Sequence, residues 1–205
     1  MDPFSLISTV TGLGTLSGLN LYLTVLLTGL AVRFDFLNLA QNHETLMILA
    51  NPWVIGISAG LYLVEFFADK IPWLDSIWDA VHTFIRPAGA CLIALEILGD
   101  ASPLLKTVGV LIAGGSSLTT HTAKAATRAV ANVSPEPASN IALSLIEDAT
   151  VAGGTAMMFL FPTVMLVLCM LVIVGLWLIL PRLLRNIGGF FRILKLKIFG
   201  VPGQV

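Results

Sequence analysis

Three long runs of the chain carry no charge: Phe4 to Val32, Thr45 to Val64 and Val151 to Leu180. Each reaches the roughly 20 residues that cross a hydrocarbon core of about 30 Å, so each predicts a membrane-spanning helix. Two further apolar runs are interrupted. Thr107 to Thr120 stops at His121, and Pro87 to Leu95 is too short alone, so it must borrow Trp78 to Ile85 or Glu96 to Gly99. Interrupted helices survive at membrane depth only where protein or a wet cavity surrounds them. The pattern predicts an all-α polytopic membrane protein with about five transmembrane segments and two short broken or re-entrant helices.

The order of parts occurs twice. Asn51-Pro52 and Ser102-Pro103 each join a capping side chain to proline at a first helical position. Each opens an apolar run that ends in polar or charged residues, Glu65, Asp69 and Lys70 in one, His121, Lys124 and Arg128 in the other. An offset of 65 residues then aligns Pro72 with Pro137, Asp75 with Asn140, Asp79 with Ser144, His82 with Glu147 and Gly89 with Gly154. The chain reads as an internal two-fold repeat, about 51–100 and about 102–180, within one transmembrane domain over 1–181. Duplicated halves with helices interrupted at matching places point to a midplane binding site in a transporter. If the two short helices dip and return, the repeats are parallel; if they do not, inverted repeats are open as well.

Composition agrees with the pattern: 57% hydrophobic and 11% charged residues over 205 positions lie outside the mix of soluble domains. A net charge of −1 removes the electrostatic basis for nucleic-acid binding. Met1-Asp2-Pro3 lacks a basic stretch, so the first apolar run reads as retained and not as a cleaved signal. Cys91 and Cys169 fall in apolar segments, where packing as small hydrophobes fits better than a disulfide or a cysteine zinc site. Gly14/Gly18 and Gly56/Gly60 have the spacing of close helix packing.

One five-span threading puts Arg33, Lys106, Arg182, Arg185, Arg192, Lys195 and Lys197 on a single face, expected to be cytoplasmic. Residues 182–205 form a tail whose basic residues interleave with Leu183, Leu184, Ile187, Phe190, Phe191 and Leu194, which suits a helix lying in an anionic leaflet.

The remaining charges make stripes. On a helix, Asp75, Asp79, His82 and Arg86 fall within about 60° of one another, and His121, Lys124, Arg128 and Asn132 within about 80°. Each such residue inside a membrane costs roughly 2.5–3.5 kcal/mol, so a structural or functional reason is required. In one reading the stripes form an ion-pair network that locks the halves together. In the other they line a cavity. There Arg86, His121, Lys124, Arg128, Asn132 and Ser134, the last starting a short helix, would bind a solute. Glu65, Asp69, Lys70, Asp75, Asp79, His82, Glu147 and Asp148 would carry a coupled proton or cation, or gate the path. His82 is as well explained by a hydrogen bond to Asp79 one turn away. Asp75, Asp79, His82, His121, Glu147 and Asp148 are adequate metal ligands, but no compact ligand spacing occurs, and phosphate-loop and serine-elbow motifs are absent.

Several of these elements together resemble a known family. They are Ser17-Gly18-Leu19-Asn20, Glu65-x-x-x-Asp69-Lys70-Ile71-Pro72-x-x-Asp75, His82-x-x-x-Arg86-Pro87, His121-x-x-Lys124-x-x-x-Arg128, Asn132-x-Ser134-Pro135-Glu136-Pro137 and Glu147-Asp148. This set looks like the bacterial integral-membrane family catalogued as domain of unknown function 4126, from about Leu16 to about Gly154. The resemblance implies a bacterial inner-membrane protein and supplies no activity.

The function expected is therefore a small, homo-oligomeric transporter or channel for an anionic or zwitterionic solute or a lipid headgroup, working without a cofactor. A membrane enzyme acting on a phosphate-bearing lipid through His82 or His121 is the second expectation, and a structural membrane scaffold the third.

Overall fold

The computed structural model describes residues 3–36, 46–132 and 137–199, the side chains of Pro3, Pro72, Pro137, Leu183, Leu184 and residues 186–199 excepted. The described residues form seven helices and no strand: α1 (Pro3–Leu19), α2 (Leu21–Arg33), α3 (Pro52–Ala68), α4 (Pro72–Leu98), α5 (Pro103–Ala131), α6 (Pro137–Leu160) and α7 (Pro162–Phe199). Proline opens six of them, because a residue without an amide hydrogen loses nothing in a first turn. The side chains of Asn51 and Ser102 accept from the amides of Trp53 and Leu105, capping α3 and α5 as their spacing predicts.

The first uncharged run is not one helix. Asn20 takes extended backbone (φ −151°, ψ 102°), and its side-chain oxygen accepts from the Leu23 amide at 2.9 Å, so α1 ends and α2 is capped afresh. Contacts fix the direction of each helix. α1 runs parallel to α5, since a Cβ at Gly14 would meet Ala113 and Ser116, and one at Gly18 would meet Ser117 and Thr120. α4 runs antiparallel to α5, with Arg86 beside His121, Gly114 over Cys91 and Gly109 over Leu98. α2 ends where α3 begins: Gly29 abuts Leu49 and Ile55, and Arg33 donates to the Ala50 carbonyl. The early residues Val54, Ile57 and Ser58 of α3 share a groove with the late residues Leu92, Ile93 and Leu95 of α4. The start of α1 and the end of α2 thus lie at the same end of the bundle. The two helices form a V whose tip, Asn20, reaches the level of Arg86 and Lys124, halfway down.

α6 returns along α1, with Gly154 against Leu16 and Met158 against Gly12. After Phe161 the chain reverses, and α7 descends beside α1 from Ser8, which donates to the Pro162 carbonyl at 2.7 Å, to Trp177, which donates to Thr119 at 3.2 Å.

Trp73–Leu98, Ala138–Leu160 and Pro162–Arg182 are long and apolar enough to cross a membrane; α1, α2 and α3 are shorter apolar helices. Burial is inverted relative to a soluble protein. Leu111, Leu171, Trp177 and Leu178 are exposed, while Glu65, Arg86 and Arg128 are at most 1% exposed. An apolar exterior around buried charge marks the chain as a membrane protein.

Several expectations need correction. No short helices occupy the described parts of 72–86 and 134–148: the first is the opening of the 27-residue α4, which passes through Pro87, and the second, from Pro137, is the opening of α6. An internal proline removes one hydrogen bond and kinks a helix without having to end it, and α7 likewise continues through Pro181. The expected start at Ser134 and Pro135 lies outside the described residues. Because α1 and α2 fold back, Arg33 and Lys106 sit at the end where α7 begins. Arg182 lies 20 residues further along α7, about 30 Å away at 1.5 Å per residue, so the basic residues do not share one face. Gly14 and Gly18 are packed closely, but a Cβ at Gly56 or Gly60 would meet none of the described residues within 4 Å, so α3 uses neither glycine to approach a described neighbour.

Candidate functional site: a buried charge cluster at a broken helix

The V brings a helix end into the middle of the bundle. The last carbonyls of a helix have no intrahelical partner and carry the negative end of its dipole. Arg86 on α4 donates through Nη1 to the Gly18 carbonyl at 3.1 Å, and Lys124 on α5 donates to the Leu19 carbonyl at 3.2 Å. Two cations from distant parts of the chain thereby close the end of α1.

Those cations belong to a larger cluster. Arg86 pairs with Glu65 at 2.6 Å and reaches Asp79 at 3.7 Å. Lys124 lies 3.5 Å from Glu65, 3.3 Å from Asp69 and 3.2 Å from Glu147. Arg128 meets Asp69 at 3.1 Å, Asp75 at 3.3 Å and Glu147 at 2.6 Å. Among the described residues, three cations thus face five carboxylates drawn from α3, α4 and α6. The stripes on α4 and α5 lie together, but most of the acids that neutralise Lys124 and Arg128 come from α3 and α6. Spacing along one helix cannot reveal those partners.

Glu65 Oε2, Asp69 Oδ1, Asp75 Oδ1 and Asp79 Oδ1 are buried without a hydrogen-bond partner among the described residues. Asp75 is otherwise held by Asn132, whose Nδ2 donates to Oδ2 at 2.9 Å, and Asn140 donates to Asn132 at 2.6 Å.

The histidines are fixed. Arg86 donates to His121 Nδ1 at 2.8 Å, and an arginine can only donate, so Nδ1 is the bare nitrogen and the proton sits on Nε2. That Nε2 lies 3.1 Å from the Asp79 carbonyl and 3.1 Å from Thr83 Oγ1. His82 is not held by Asp79. Its Nδ1 lies 2.8 Å from the Trp78 carbonyl and its Nε2 2.9 Å from the Tyr22 hydroxyl, with the Trp78 ring stacked on it.

Two expected residues stand apart from the ion pairs. Lys70 donates to the Phe66 carbonyl and Ser144, and its ammonium sits 3.0 Å from the centre of the Phe66 ring. Asp148 accepts from Asn20 at 3.2 Å and Tyr62 at 3.0 Å. Asn20, Tyr22, Tyr62 and Asn140 were not singled out as site residues by the sequence reading. The signal for Asn20 was present, a capping residue just after Gly18 inside an otherwise apolar run.

Between α4 and α5 a pocket of about 250 Å³ opens onto the cluster, lined by Asp75, Asp79, Thr83, Arg128 and Asn132 among others. A larger, apolar groove of about 640 Å³ lies against α1, α5, α6 and α7 and reaches Lys124 and Glu147. No group of three or more His, Cys, Asp or Glu among the described residues is placed to hold a metal ion.

No curated protein and no solved structure matches the chain. One family model does, over residues 7–182, and the stretch it covers holds the V, the charge cluster and both pockets. The chain therefore belongs to the family described as Domain of unknown function (DUF4126).

Proposed function

We propose that this protein is a small transporter of the bacterial inner membrane, with the charge cluster at the tip of the V as its working site. α3 to α7 make five crossings in this reading, and α1 and α2 form a re-entrant pair entering from one side. Helix ends at mid-depth facing buried ionisable groups are how many carriers build a site. Two repeats, α3 with α4 and α5 with α6, run in the same alternating directions and so are parallel. The aligned glycines support this, since Gly89 packs on Leu21 and Gly154 on Leu16, either side of Asn20. The basic residues from Arg182 onward outnumber Arg33 and Lys106, which favours a cytoplasmic C-terminus.

The observation that carries the reading is the pocket between α4 and α5, whose lining includes Arg128 and Asn132 beside Asp75 and Asp79. Walls of both signs suit a zwitterionic solute or headgroup, its anionic group displacing a carboxylate from Arg128 and its cationic group meeting the acids. A lock is the competing reading, favoured by the complete pairing of Arg86, Lys124 and Arg128. The enzyme reading gains little, because both nitrogens of each buried imidazole are engaged.

The test is solute flux into proteoliposomes from a panel of zwitterions and anions. A carrier gives saturable flux for wild type that is lost in Arg128→Gln and reduced in Asn132→Leu, with both variants eluting as folded protein. A lock gives no flux above empty vesicles and loss of folding in Arg128→Gln.

A further inference from the structure

A cluster of five carboxylates and three cations leaves two negative charges in excess if every group ionises. An unbalanced charge in a low-dielectric interior is so costly that the group neutralises instead. One bound proton lowers that excess from two charges to one, and the surroundings narrow down where it sits. His121 cannot take a proton, since its bare Nδ1 faces an Arg86 N–H at 2.8 Å and a second hydrogen there would collide with it. His82 lies outside the ion pairs, held by Trp78 and Tyr22.

Among the carboxylates the holds are unequal. Glu65 and Glu147 each accept a bond of 2.6 Å from arginine, Asp69 accepts from Lys124 and Arg128, and Asp75 accepts from Asn132. Asp79 has the weakest hold. It is 6% exposed, its nearest cation among the described residues is Arg86 at 3.7 Å, and its Oδ1 has no hydrogen-bond partner among them. It also lines the pocket between α4 and α5, which gives a proton a route to it.

We propose that Asp79 is the proton-binding residue of the cluster, exchanging a proton with the pocket between α4 and α5. Glu65 on α3 and Asp69 at its C-cap, Asp75, His82 and Arg86 on α4, His121, Lys124 and Arg128 on α5 and Glu147 on α6 make up its charged and titratable surroundings. With the proton on Asp79, the carboxylic O–H donates into the pocket or to a neighbouring carboxylate. When the proton leaves, Asp79 adds a negative charge beside Arg86 and draws on the guanidinium that also holds Glu65 and the end of α1. This deepens the carrier reading, naming the coupling ion as a proton at the same site, and rests on that reading for its role in transport.

The test does not depend on flux. Infrared difference spectra of the full-length protein in liposomes, recorded between acidic and alkaline buffer, report a protonated carboxyl directly through its C=O stretch. Wild type is expected to show a titrating band that disappears in Asp79→Asn, shifts in Asp79→Glu and survives in Asp148→Asn. A band unchanged in Asp79→Asn and Asp79→Glu overturns the assignment. So does the absence of any titrating band from wild type; a melting temperature raised by sodium chloride but not by choline chloride would then name sodium as the ion bound instead. If Asp79→Asn fails to fold, the shift in Asp79→Glu decides alone. Loss of the Asp79 band with no solute flux would retain the proton site and remove the carrier reading.

Discussion

The guanidinium of Arg86 donates to the main-chain oxygen of Gly18, 68 positions earlier in the chain, at 3.1 Å. A helix ending at mid-depth leaves carbonyls that water would otherwise have to satisfy, and this contact removes that need. The same guanidinium holds Glu65 and fixes the tautomer of His121. Closing part of the end of α1, pairing Glu65 and orienting the imidazole thus fall to one side chain.

Lysine should not replace Arg86. A single ammonium cannot reach the Gly18 carbonyl, His121 Nδ1 and Glu65 together, whereas a planar guanidinium does so in one rotamer. Arg86→Lys is expected to lower the melting temperature in detergent markedly. Glu65→Ala, which leaves the arginine charge without its strongest partner, should cost about 3–5 kcal/mol. The Glu65→Gln, Arg86→Met double variant should lose less than the sum of the two singles, and an additive double-mutant cycle would show that the pair is not coupled.

Asn20 caps α2 and donates to Asp148. Asn20→Ala should cost about 1–2 kcal/mol through the lost cap, with a further penalty from the weakened hold on Asp148, while Asn20→Ser keeps a capping oxygen and recovers part of it. Denaturation in mixed micelles checks this. Equal stability of Asn20→Ala and wild type would mean that α2 does not depend on the cap.

The glycines give a paired contrast. A Cβ at Gly18 would strike Thr120 and the Ser117 carbonyl, whereas one at Gly60 meets open space. Gly18→Ala should destabilise by about 1–3 kcal/mol through overpacking of α1 on α5. Gly60→Ala should be neutral or slightly stabilising for the single chain, since alanine favours a helix. Comparable losses at both positions would contradict the packing described, and would place α3 against another subunit.

Both the stripes and the helix starts were legible in the sequence. Angular spacing puts Asp75, Asp79, His82 and Arg86 on one face, and all four are buried. The cap-proline pairs at Asn51 and Ser102 open helices as expected. The break at Asn20 was marked in the sequence only by its capping residue; what makes it tolerable was not legible, because it is supplied by Arg86, Lys124 and Asp148, remote residues that no local pattern connects to it. Continuity through Pro87 stood in the sequence only as one alternative, the borrowing of Trp78 to Ile85 by Pro87 to Leu95, beside a proline break. The local penalty of proline is visible in sequence, whereas the packing of α4 against α5 that outweighs it is not. The pairing of Lys124 and Arg128 with Glu65 and Asp69 likewise depends on how α3 meets α5, so the sequence could show an excess of charge but not those partners.

Access of water to the cluster from one side is the claim on which the transport reading depends, and cysteine labelling in liposomes measures it most directly. With Cys91 and Cys169 replaced by alanine, Ala80→Cys and Ala129→Cys would report from the pocket wall and Leu171→Cys from the apolar exterior. A membrane-impermeant charged thiol reagent is predicted to modify the two pocket positions from a single side and to leave position 171 untouched. Equal protection of all three from both sides would describe a dry, sealed lock and contradict the account.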